Sequence, residues 1–292
     1  MNADSRPAVV DHCAPAEPVR SRGRLVAGCL AVGITVLGLW MYLGLRHYTL
    51  EHNFHHDIDS PVLALELASN SHELESVLNP PSAAEDAKTQ SRAALQTNTY
   101  EDCLFIVLYS LFLWTFADLF AGPDKVSTVS RRILAVVIIA TALCDYAENL
   151  GIFRALRARQ ITDALAQQVC WPSRCKWLSF GGALLITAIL LLRSDKEIYS
   201  LATRRLLAIA YAAAGLLIVT GLWYPPFIQL GVNVFALIVV INLVALLGAY
   251  VSEWIPPTIP EFVTDFCDEK KAAKAQVAVS VKHDSVSRRD SE

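Results

Sequence analysis

The sequence predicts an all-α polytopic transmembrane helix bundle of about six spans, with short amphipathic helices in the first outer loop. Three observations predict it. The apolar share is 54% and the charged share 18%, against roughly 45–50% and 25% in soluble domains. Mean hydropathy is +0.39. Six apolar stretches approach the roughly 20 residues that a helix needs to cross a bilayer core, where every backbone polar group must be paired within the chain.

These stretches are residues 25–45, 103–121, 133–153, 177–192, 206–223 and 228–251. The first and last carry no charged side chain. The first follows Arg20, Arg22 and Arg24 and precedes Arg46-His47-Tyr48, a pattern that suits a retained anchor better than a cleaved signal peptide. The fourth is short, and Lys176 and Arg193 can serve as its snorkelling ends. Tyr224-Pro225-Pro226-Phe227 alone joins the last two, and proline cannot continue a helix, so these spans should form a tight hairpin. Trp40, Trp177, Trp223, Tyr224 and Trp254 fall near span ends, where amphipathic rings meet lipid headgroups.

Orientation follows from the basic side chains. With both termini inside, the inner segments hold 17 Lys and Arg and the outer ones 8, over similar lengths. This balance predicts cytoplasmic termini in a plasma or inner membrane. Loop 154–176 opposes that placement, because it carries Arg154, Arg157, Arg159, Arg174 and Lys176.

Outside the bilayer, residues 1–24 and most of 252–292 read as polar, disordered cytoplasmic tails. The outer loop 46–102 contains a helical run from Pro61 to Ala68. A second one begins at Asn70, where Glu73 has capping-box spacing and Leu74, Val77 and Leu78 form a stripe. Residues 80–100 read as a flexible linker. In loop 154–176, Phe153, Leu156, Ile161, Leu165 and Val169 recur at helical spacing. They fit either an interfacial helix or an extension of the third span.

Charge within a span costs roughly 2.5–3.5 kcal/mol per residue and calls for a reason. Asp145, Glu148 and Asn149 lie at i, i+3 and i+4 on one face of the third span. Two readings compete: an ion, proton or polar-substrate site, or an interhelical lock in which Lys176 reaches Glu148 or Asp145. Asp118, near the inner end of the second span, is placed to answer Lys125, Arg131 or Arg132. Asn233 and Asn242 can hydrogen-bond across helices, and Gly181-Gly182 permits close helix approach.

His52 and His56 have i, i+4 spacing and are the weak metal candidates; without a second ligand cluster, a polar juxtamembrane stretch explains them as well. Cys170 and Cys175 could close a short disulfide loop in an oxidising compartment, or remain two thiols. No phosphate-binding, nucleophile-elbow or dinucleotide fingerprint occurs, so no cofactor is expected. A net charge of −3 gives no basic surface for nucleic acid. The lipid bilayer is the one partner the sequence implies, and it is silent on protein partners.

Leu65-Glu66-Leu67-Ala68, Tyr100-Glu101-Asp102-Cys103-Leu104-Phe105 with Leu108-Tyr109, and Asp145-Tyr146-Ala147-Glu148-Asn149 carry a resemblance. The chain is similar over about residues 60–195 to uncharacterised small bacterial polytopic membrane proteins, which pair a Leu-Glu-Phe-Ala-like outer helix with an Asp-x-x-Glu-Asn transmembrane motif. Here Leu67 stands where an aromatic is usual, and further spans and long tails are added. The resemblance implies an architecture without a reaction. It also implies that Glu66, Asp102, Asp145, Glu148, Asn149 and Lys176 form one outer-side polar cluster. A non-enzymatic membrane protein organised by that cluster is the first expectation. A proton- or cation-coupled transporter using Asp145 and Glu148, and a lipid-modifying membrane enzyme, are the second and third.

Overall fold

A computed structural model describes residues 27–39 (33 and 37 excepted), 58, 60–79, 84–122, 124–194 and 199–254, with side chains to 245. Two compact units divide the chain, Met1–Gly248 and Ala249–Glu292, and the packing below belongs to the first. The described residues form helices and no strand. An apolar helix α1 covers Ala27–Val36. It is followed by α2 (Pro61–Leu67), α3 (Ser71–Leu78), α4 (Glu85–Phe120), α5 (Lys125–Arg157), α6 (Asp163–Arg193), α7 (Leu201–Thr220) and α8 (Pro226–Trp254).

Five of these, α4 to α8, are long and apolar enough to cross a membrane, and α1 is the described part of the first expected span. Their outward faces are greasy. Val136, Leu143, Leu206, Ile209 and Val244 are each about two-thirds exposed, a pattern that water would not tolerate but hydrocarbon accepts. Inside, small residues let backbones meet. A Cβ on Gly215 would lie 2.7 Å from the Gly181 carbonyl oxygen, so α6 and α7 touch at a spacing that only glycine permits. Gly182 meets nothing within 4 Å, so the first glycine of the pair carries the close approach.

The helices α4, α5 and α6 hold 36, 33 and 31 residues. At 1.5 Å per residue they run to about 45–55 Å, well beyond the roughly 30 Å hydrocarbon layer. Their polar extensions, at the N-termini of α4 and α6 and the C-terminus of α5, lie at one end of the bundle. There they enclose α2 and α3 in a helical cap with its own hydrophobic core, including Leu65, Leu74, Leu78, Leu95, Ala155 and Val169. The larger core, built around Phe112, Phe116, Phe180, Tyr211 and Phe235, fills the bundle proper.

This cap corrects the expectations for two loops. Residues 84–100 are no flexible linker: Glu85 and Asp86 start α4, whose Ser91, Leu95, Asn98 and Thr99 are buried. Alanine, glutamine and charged residues at helical spacing carry high helix propensity, and one buried stripe fixes them. Loop 154–176 shrinks to a few residues around 158–162. Helix α5 runs on to Arg157, and Thr162 caps α6 by accepting from the Leu165 amide. Pro172 sits inside α6. It has no N–H for the Gln168 carbonyl, and that oxygen lies where a Cβ on Gly151 of α5 would be, 2.8 Å away.

Both short helices obey local capping rules. Ser60 caps α2 with Pro61 at its first position. Asn70 Oδ1 accepts from the Glu73 amide at 3.0 Å, and Glu73 Oε2 accepts from the Ser69 amide at 2.7 Å. Cap and bundle are then joined by Asp163, whose carboxylate accepts from the Ser71 amide at 2.7 Å.

Candidate functional site

The site lies where the cap meets the bundle. Capping and Pro61 set α2 so that Glu66 points into the junction and is buried. Helix α5 presents Asp145, Glu148 and Asn149 from one face, all buried. Helix α6 contributes Lys176, which is 5% exposed. Lysine buried this deeply is tolerated only with counter-charges.

It has three. Lys176 Nζ stands 2.8 and 2.9 Å from the two oxygens of Glu148, 3.1 Å from Glu66 Oε1 and 3.2 Å from Asp145 Oδ1. Neighbouring side chains complete the shell. Tyr109 of α4 donates its hydroxyl to Asp145 Oδ2 at 2.9 Å. Trp177 donates its indole N–H to Glu66 Oε2 at 3.0 Å, and its ring lies 4.6 Å from the Lys176 ammonium. Asn149 donates to Asp102 Oδ2 at 2.8 Å. Thus the six residues read from the sequence as one cluster meet in space, and Tyr109 and Trp177 join them. Sequence reasoning missed those two as members. Tyr109 is the buried polar end of an aromatic stripe with Phe112 and Phe116, and its signal is hidden within that stripe.

Supply and demand within the cluster do not balance. Four carboxylates face one ammonium among the described residues. Asp102 makes no ion pair with Lys176, and Asp145 Oδ1 and Glu148 Oε2 have ion-pair contact but no hydrogen-bond donor. Buried anions in such surplus call for a further cation or for protons.

A cavity of about 450 Å³ opens beside them. Glu66, Asp102, Asp145 and Lys176 line one part, and Phe180, Phe235 and Val239 line another. Glu148 is not in its wall; it lies behind, closed into the Lys176 pair. Leu39, just beyond α1, and Asn233 and Val240 of α8 line the cavity and are themselves exposed, so it reaches the lipid-facing flank of the bundle.

Other expected residues lie elsewhere. Asp118 pairs with Arg131 at 2.8 Å on an exposed surface at the opposite end. Asn242 is buried between α7 and α8, donating to Tyr211 Oη at 3.2 Å. Cys170 and Cys175 form no disulfide. The expected loop between them is helix, and five residues turn the two thiols about 140° apart; Cys170 is buried, whereas Cys175 is exposed and lies against Cys144 of α5. His52 and His56 lie outside the described residues, among which no metal-ligand group is found.

Fold and site together define an integral membrane protein of the polytopic α-helical class, with a charged cluster at the mouth of its bundle. Comparison with protein-family models, curated proteins and solved structures finds no match to this chain.

Proposed function

We propose that the chain is a non-catalytic polytopic membrane protein in which the Lys176 cluster fastens the helical cap to the transmembrane bundle. One observation carries the reading: a single ammonium of α6 contacts carboxylates from α2 and α5, each within 3.2 Å, and so ties three helices at one buried point. Such buried charge is better at specifying an arrangement than at adding net stability. The basic-residue balance favours cytoplasmic termini in a plasma or inner membrane, with the cap on the outer side. The resemblance to small bacterial membrane proteins of the Asp-x-x-Glu-Asn type supports the same architecture.

Glu148→Gln tests this reading. The amide keeps the shape but removes the negative charge and replaces one acceptor oxygen with an NH2 group facing the ammonium. A fastening role predicts earlier thermal unfolding in detergent and faster protease cleavage in α2 and α3. A proton- or cation-coupled carrier predicts normal stability and loss of ion-dependent flux in proteoliposomes. Normal stability with lost flux would replace the fastening role by the carrier.

A further inference from the structure

The cavity and the cluster have complementary chemistries that fastening alone does not use. Fastening needs Lys176, Glu148, Glu66 and Asp145. Asp102 has no part in it, yet it lines the cavity, half-buried, with Asn149 as its described hydrogen-bond partner. Three carboxylates and one ammonium therefore face the same space.

The other walls are aromatic and aliphatic. Trp177, Tyr109 and Phe105 stand with the carboxylates, and aromatic faces attract ammonium groups. Beyond them the lining is Phe180, Phe235 and Val239, with no charge. Volume sets the size of an occupant. At roughly 30 Å³ per heavy atom, 450 Å³ holds about 15 such atoms, inside the usual range for ligand sites. Access sets its solubility. Exposed Val240 and Ala236 lie near the middle of the α8 span, so the cavity meets the acyl-chain region of the membrane.

We propose that this cavity binds a single-chain cationic amphiphile, with its ammonium head among Asp102, Glu66 and Asp145 and its alkyl chain against Phe180 and Phe235. The head supplies positive charge that the cluster lacks among the described residues. The chain displaces no polar contact. The assignment goes beyond the fastening role and stands independently of it, because Asp102 and the apolar walls take no part in that role.

Radiolabelled decyltrimethylammonium, which has 14 heavy atoms, is the probe. Binding is measured to the full chain in lipid nanodiscs, with empty nanodiscs subtracting partition into lipid. Decyl sulfate and decanol are the anionic and neutral comparators. The expected result is saturable binding of one ammonium per chain, with both comparators weaker by about tenfold or more, the scale of one charge-assisted contact. Asp102→Asn should weaken the ammonium by a similar factor and leave decanol unchanged. Ala236→Phe fills the cavity from an exposed helix face without touching a charge, and should abolish binding while the melting temperature stays that of the parent. Decanol binding as tightly as the ammonium would overturn the proposal, because protons would then neutralise the carboxylates. Ammonium retention equal to that of empty nanodiscs, or undiminished in Ala236→Phe, would overturn it as well.

Discussion

Replacing Lys176 by Met removes the one cation that Glu66, Asp145 and Glu148 share, and leaves an apolar chain of similar length in its place. Three buried carboxylates then have no counter-charge within ion-pair distance among the described residues. Leaving them ionised is the costlier outcome, so the variant takes up protons. Holding one glutamate neutral at pH 7, against an unfolded pKa of about 4.3, costs about 4 kcal/mol. That agrees with the roughly 3–5 kcal/mol lost when one partner of a buried ion pair is removed.

The sign of the pH dependence follows. A carboxyl that is neutral in the folded variant and ionised in its unfolded chain favours unfolding above the unfolded pKa. The deficit therefore grows as pH rises and fades as pH falls toward about 4; between pH 7 and pH 5 it should narrow by nearly 3 kcal/mol per proton. Unfolding by dodecyl sulfate titration in mixed micelles, followed by circular dichroism at both pH values, reads both quantities. A Lys176→Met midpoint equal to the parent's at pH 7 would refute the fastening role. A large deficit that is identical at pH 5 and pH 7 would refute the proton argument, and would point to lost packing of the lysine stem instead.

Three further outcomes are expected. Tyr109→Phe removes the hydroxyl donor to Asp145 and should cost about 1.5–3 kcal/mol, the worth of a buried hydrogen bond to a charge; the same titration checks it, and no loss would remove Tyr109 from the cluster. Gly181→Ala places a methyl group 2.9 Å from the Gly215 carbonyl oxygen and should destabilise by about 1–3 kcal/mol. Gly182→Ala has open space and should be neutral or slightly stabilising through helix propensity, so equal melting temperatures for the two variants would contradict the α6–α7 packing. At the other end of the bundle, the Ser127 amide donates to Asp124 Oδ2 at 3.0 Å, and hydrogen bonding at Ser127 holds the Asp124 carboxyl below its ordinary value. A depressed carboxyl pKa stabilises above the unfolded value and loses that effect as pH falls through the folded one. Hydrogen exchange of the Ser127 amide, corrected for intrinsic rate, should therefore lose protection on acidification below about pH 4, and Asp124→Asn should flatten that dependence.

Hydrocarbon length makes spans legible, and the six stretches needed nothing else. The i, i+3, i+4 rule was enough to put Asp145, Glu148 and Asn149 on one face, because it holds within any single helix. Lys176 was identifiable as their partner because a charge at a span end must go somewhere. The cap was not legible to the same degree. Residues 84–100 carry few large apolar side chains, and their helix depends on a buried stripe that exists only once α3 and α5 are alongside. Loop 154–176 was half legible: its apolar spacing fits an interfacial helix or an extension of the third span, but only packing of Gly151 against the Gln168 carbonyl shows how Pro172 is accommodated within α6. The disulfide reading fell with the loop. The cavity was invisible, since its walls come from α1, α2, α4, α5, α6 and α8 and no sequence neighbour announces the gap between them.

The position of the cluster limits what it can be for. A fastening between a cap core and a lipid-packed bundle core needs a tie across the junction; Glu148 holds the Lys176 ammonium in a closed space, and Glu66 of α2 reaches it from the cap. Glu66 and Asp145 add direction, because they fix α2 and α5 on the same ammonium. Asp102 adds neither. A fourth carboxylate, half-buried beside the other three, weakens a purely structural cluster by repulsion. A cationic group on the cavity side would offset that repulsion, as the proposed amphiphile head does. The cluster thus divides by geometry: Glu148 belongs to the tie, Asp102 to the cavity, and Glu66 and Asp145 to both. A variant pair distinguishes the two halves, because Glu148→Gln should move stability more than amphiphile binding and Asp102→Asn the reverse. Parallel losses in both variants would mean that tie and cavity are one cooperative unit, and that the division drawn from the coordinates is wrong.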